Sequence, residues 1–102
     1  MRLFWSKTAM NDLEELPEYI ANESEIAADF VESRIHHDAT LLSRFPRAGC
    51  PGRVRGTLER VVARNPFILV YRFESELVRI LSVYRGARRW PSRFEWSRIL
   101  ES

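Results

Sequence analysis

The chain has 102 residues, 45% of them apolar and 29% charged, the balance of a globular protein of about one domain. Its longest apolar run is the five residues 67–71 (FILVY), far short of the ~20 that a membrane span needs. The opening MRLFWSKTAM lacks the ~7–15-residue apolar core of a secretion signal, and the lone Cys50 excludes an internal disulfide or a cysteine-rich zinc site. The net charge of +2 conceals two opposed halves, with 4 basic and 9 acidic groups in residues 1–45 against 12 basic and 5 acidic in residues 46–102.

Residues 2–5 (RLFW) read as a short strand, with Ser6 and Thr8 both able to cap the helix that follows. Ala9, Met10, Leu13, Leu16 and Ile20 recur every three or four positions, as one helix face requires, and Pro17 predicts a kink or an end nearby. Residues 21–24 form a polar break, after which Ser24 caps a second helix with Ile26, Ala27, Phe30, Val31, Ile35 and Leu41 or Leu42 on its apolar side. Two such helices joined so briefly make an antiparallel hairpin, with most acidic residues on its wet side. Two Pro and three Gly in residues 46–56 mark a loop. Three strand-like runs follow at 54–62, 66–73 and 77–84, with turns at Asn65-Pro66 and around Ser75, so their pairing is expected to be antiparallel.

The tail from Ser92 carries Phe94, Trp96, Ile99 and Leu100 and admits a short helix. The order β-α-α-β-β-β gives an α+β fold, a helical hairpin packed on one face of an antiparallel sheet, with strand one at the edge of the meander. One domain is expected over 1–102: strand plus hairpin in 1–45, a basic meander in 46–91, and a tail in 92–102. Leu3, Leu13, Leu16, Phe30, Ile35, Leu69, Val70, Ile80 and Leu81 are the expected core.

No phosphate loop, dinucleotide fingerprint, nucleophile elbow or zincin motif occurs. His36 and His37 are adjacent, so on a helix they point about 100° apart and do not share one metal; no cofactor or metal is expected. The basic side is 15 Arg and one Lys, and guanidinium is the planar, always-charged group that suits phosphate and carboxylate. On an unbroken strand Arg53 and Arg55 share a face and Arg60 takes the other. With Arg85, Arg88, Arg89 and the stacking surface of Trp90 these form a candidate binding face for a target or for RNA.

The chain resembles the RelE/ParE superfamily, the toxins of bacterial type II toxin–antitoxin modules, over residues 5–91. The likeness runs through Trp5-Ser6, Asp12-Leu13 and Tyr19-Ile20-Ala21 to Phe45-Pro46. It continues through Gly52-Arg53-Val54-Arg55-Gly56-Thr57 with Glu59, Val70-Tyr71-Arg72, and Arg85-Gly86-Ala87-Arg88 with Trp90-Pro91. The resemblance implies a cytoplasmic toxin that inhibits growth when free of a cognate antitoxin, in hetero-oligomers with it, and with no membrane partner. ParE-like members inhibit DNA gyrase, whereas RelE-like members cleave mRNA on the ribosome.

For cleavage, Arg72, Tyr84, Arg85 and Arg88 are the catalytic candidates. Where related nucleases read V-L-H-G-A-R this chain reads Val83-Tyr84-Arg85-Gly86-Ala87-Arg88, and Ile68 stands where their central-strand Arg aligns. These departures favour gyrase inhibition; ribosome-dependent cleavage is the alternative, and a basic nucleic-acid module without toxicity a third reading.

Overall fold

A computed structural model describes residues 1–20, 25–62, 67–85 and 90–101, with the backbone alone for 16–20 and 25–29. The elements are β1 (Arg2–Trp5), α1 (Lys7–Ile20), α2 (Glu25–Arg44), β2 (Cys50–Pro51), β3 (Leu58–Val62), β4 (Phe67–Glu74), β5 (Leu77–Arg85) and α3 (Arg93–Glu101). The five strands form one sheet in the order β1-β5-β4-β3-β2. β3, β4 and β5 are an antiparallel meander, and β1 joins its β5 edge in parallel. A parallel pair needs a crossover connection, and the helical hairpin followed by the meander supplies it between β1 and β5.

Two polar side chains hold that hairpin in place. Ser6 caps α1 by accepting from the Ala9 amide at 3.1 Å, and its hydroxyl donates to the Leu81 carbonyl at 2.9 Å. Leu81 is the extra residue of a bulge in β5, opposite the Val70/Tyr71 step, so its carbonyl is free of the regular ladder. One turn into α1, Asp12 accepts through Oδ2 from Ser82 Oγ at 2.8 Å and from the Val83 amide at 2.9 Å. Ser6 and Asp12 of the Trp-Ser and Asp-Leu signatures thus lock helix to bulge. α1 passes Pro17 by three residues before it ends; a proline in the final turn removes only one ladder bond.

The core lies between hairpin and sheet. Ala9, Ile35, Ala39 and Leu42 meet Val62, Phe67, Leu69, Tyr71, Val78, Ile80 and Val83, with Leu3, Leu13 and Val31 packed at the margin. Phe30 is a correction, since it is 65% exposed. The spacing Val31, Ile35, Leu42 fixes the buried stripe, and Phe30 stands about 100° away from Val31. The Leu16 side chain, the Ser24 cap and the Asn65-Pro66 turn lie outside the described residues.

The first strand of the meander is also corrected. It begins at Leu58, not at residue 54, because residues 52–57 close on themselves. Gly52 N–H donates to the Thr57 carbonyl at 2.8 Å and Thr57 N–H to the Val54 carbonyl at 3.1 Å. Gly56 takes a φ of 83° at the third position of this Val54-to-Thr57 turn, as a type II turn requires.

α3 covers the other sheet face. The pleat sets Val70 and Arg72 opposite to Leu69 and Tyr71. Arg72 Nη2 donates to the Leu100 carbonyl at 3.2 Å, tying the last turn of α3 to β4. Trp96, 3% exposed, seals the contact, while Phe94 on the same helix is 71% exposed. The tail therefore closes a second small core. No helix among the described residues is long and apolar enough to cross a membrane.

Candidate target-binding surface

The arginines expected on one strand are split between the two faces of the sheet. Arg60, in β3, points to the hairpin side, where Nε lies 3.2 Å from Asp38 Oδ2. Asp38 is buried, and Arg34 Nε approaches its other oxygen at 3.4 Å from the preceding turn of α2. One desolvated carboxylate thus joins two guanidiniums and staples α2 to β3.

Arg53 and Arg55 are not strand residues. Arg53 sits at the start of the 52–57 loop and folds over the outer face of the sheet. Its backbone N–H donates to Glu59 Oε2 at 2.6 Å, while Nε and Nη2 reach the same carboxylate at 3.3 and 3.2 Å. Its guanidinium carbon stands 3.4 Å over the ring of Trp90 and 5.4 Å from that of Tyr84. Trp90 in turn meets Tyr84 edge-on at 4.8 Å and Trp96 at 5.0 Å. The planar cation is held by a two-toothed ion pair on one side and a π face on the other, two interactions that suit Arg and not Lys. Arg55 occupies the second position of the turn, exposed, with no partner among the described residues.

Arg85, at the end of β5, pairs with Phe67 across the sheet and is half-buried. Arg88 and Arg89 lie outside the described residues. Arg72 and Arg79 are direct cross-strand neighbours, a repulsive placement that internal partners relieve. Arg72 is bound to the Leu100 carbonyl, and Arg79 lies 4.8 Å over the ring of Phe4.

Tyr84, a catalytic candidate, lies inside the Arg53–Trp90 cluster, whereas the two histidines sit on α2. Tyr84 is 6% exposed beneath Trp90. His36 packs on Trp5 with ring centres 5.2 Å apart, with Glu32 at 3.9 Å from its Nε2. His37 lines a shallow depression of about 240 Å³ with Phe30, Ser33 and Arg34. No group of three His, Cys, Asp or Glu among the described residues is placed to hold a metal.

One phenol was missed by sequence reasoning. Tyr71 Oη accepts from the Gly49 amide at 2.9 Å and donates to the Pro46 carbonyl at 2.7 Å, pinning the loop ahead of β2 to β4. Burial raises its pKa, against the opposing pull of the Gly49 bond and of the Arg60 charge. An aromatic residue in an apolar run gives no hint of such a polar task; the Gly/Pro loop, whose backbone groups need partners, is the one signal present.

Residues 3–90 match the family described as the ParE toxin of the type II toxin–antitoxin system, parDE. The chain belongs to that family. The Y4kP protein of Sinorhizobium fredii is 36% identical over 90 residues, covering 88% of this chain and 93% of its own. Among solved structures, a chain of the chromosomal ParDE toxin–antitoxin system of P. aeruginosa superposes with a TM-score of 0.73 at 25% identity, over 83% of this chain and 95% of that one. A chain of the toxin–antitoxin complex RelBE2 of Mycobacterium tuberculosis gives 0.59 at 28% identity, over 85% and 92%. The ParE family and its RelE-like relatives thus share the fold, and this ParE family member carries an outer sheet face built around an internally bound arginine.

Proposed function

We propose that this ParE-type toxin inhibits DNA gyrase by binding it, with no chemistry of its own, and that a cognate antitoxin neutralises it in the cytoplasm. The observation that carries the reading is the engagement of the groups a nuclease would need. Tyr84 is buried under Trp90, and Arg72 donates through Nη2 to the Leu100 carbonyl. Cleavage by a neighbouring 2′-hydroxyl needs a base and an acid within reach of one phosphate, whereas a binding toxin needs only exposed, well-placed contacts.

Arg55 at its turn and Arg85 at the strand end supply candidate contacts, with Arg88 and Arg89 close to Arg85 in sequence. The antitoxin reading is supported by family membership and by the two solved neighbours, one from a toxin–antitoxin system and one from a toxin–antitoxin complex. The likeness to RelBE2 is what favours the second reading, a ribosome-dependent endoribonuclease.

Expression of the toxin without its antitoxin separates the two. Gyrase inhibition gives a DNA-damage response with intact mRNA. Rapid loss of translation with mRNA cut at codon positions would overturn the proposal.

A further inference from the structure

We propose that Arg53 is a positioning residue, clamped between Glu59 and Trp90 so that the turn beyond it presents Arg55 to the target; this rests on the reading of the chain as a target-binding toxin. Three features lead there. Arg53 is engaged within the protein on two sides, because its backbone amide, Nε and Nη2 all serve one carboxylate and one face of the guanidinium lies on Trp90. The clamp joins parts distant in sequence: the 52–57 loop, β3 through Glu59, β5 through Tyr84 and α3 through the Trp90–Trp96 contact. Beyond it the chain is closed by the Gly52–Thr57 and Val54–Thr57 bonds and by the positive φ of Gly56. A turn of fixed shape on a fixed base gives the exposed Arg55 little freedom to lose on binding, which is how preorganisation raises affinity.

The clamp also accounts for residue choice. Lys in place of Arg53 keeps the charge but loses both the fork and the planar stack. Phe in place of Trp90 keeps a π face, whereas Leu removes it.

The test is a double-mutant cycle on the full-length toxin, read as the induced soluble level that halves growth. Circular dichroism and Tm of each purified variant establish folding. Arg53→Ala is expected to lower potency about tenfold with the fold retained. Arg53→Lys should not restore it, Trp90→Phe should keep most of it, and Trp90→Leu should match Arg53→Ala. The decisive arm is Arg53→Ala in an Arg55→Ala background, where the further loss should be under about twofold, because a positioning residue has nothing left to position.

Losses that multiply would mean that Arg53 contacts the target itself, and full potency of Arg53→Ala or Arg53→Lys would mean that the clamp is irrelevant. Either result overturns the proposal. Should Arg53→Ala fail to fold, the Trp90→Phe and Trp90→Leu pair decides the point by the same criterion. Plasmid supercoiling measured in the same cultures keeps the two claims apart. Normal supercoiling under a toxic wild type would sink the gyrase reading and leave the cycle to judge the clamp.

Discussion

At the scale of single residues, Tyr71 and Gly49 form a tightly constrained contact. A Cβ on Gly49 would stand 2.6 Å from Tyr71 Oη and 2.8 Å from the Glu59 carbonyl oxygen, so Gly49→Ala should cost about 1–3 kcal/mol through overpacking. Urea denaturation checks this, and an unchanged midpoint would contradict it. Tyr71→Phe should cost a similar amount, about 1–3 kcal/mol, because it strands the Gly49 amide and the Pro46 carbonyl.

The phenol also makes stability depend on pH in a stated direction. Its folded-state pKa is raised above the ordinary 10.0 by burial, so its contribution is complete below pH ~10 and is lost as pH rises through the folded value. Denaturation at a series of alkaline pH values should therefore show a falling stability in the wild type, with that component missing in Tyr71→Phe. Equal slopes would show that the phenol is not the titrating group.

At the scale of elements, α3 is a nine-residue helix held chiefly by Trp96 and by the Arg72–Leu100 bond. Trp96→Ala should remove its anchor and cost about 3–5 kcal/mol, with loss of helical ellipticity. Trp96 Nε1 is buried without a partner among the described residues. Trp96→Phe therefore gives up no hydrogen bond and should cost less than about 1.5 kcal/mol. Equal losses for the two variants would contradict this account of the contact.

The elements were largely legible because period and punctuation agree in α1, β4 and β5, where apolar spacing and flanking turn residues point the same way. Three features were hidden. The phase of α2 could not be chosen from Phe30 and Val31, both apolar and adjacent, until Ile35 and Leu42 had a sheet to face. The β3 start was obscured because a run of Val, Arg, Thr and Leu has strand composition, while the Gly56 turn and the Glu59 carboxylate decide otherwise. The stack of Arg53 on Trp90 joins positions separated by most of the sheet, so no local pattern could announce it.

At the scale of the whole molecule, the charge asymmetry of the sequence becomes a division of labour among arginines. Arg60 and Arg34 share a buried carboxylate under the hairpin, Arg72 binds the end of α3, Arg79 lies on Phe4 and Arg53 is clamped. Several groups that read as ligand contacts in one dimension are therefore internal fastenings, and the surface offered outward is narrower than the arginine count suggests. Arg55 and Arg85 stand at its described edge. We propose that this surface acts by binding gyrase. Its most direct test is DNA supercoiling by purified gyrase with increasing amounts of the purified toxin, run beside mRNA integrity in a translating extract. Dose-dependent loss of supercoiling, weakened by Arg55→Ala, is expected with mRNA left whole; undiminished supercoiling together with mRNA cut at codon positions would overturn the gyrase reading.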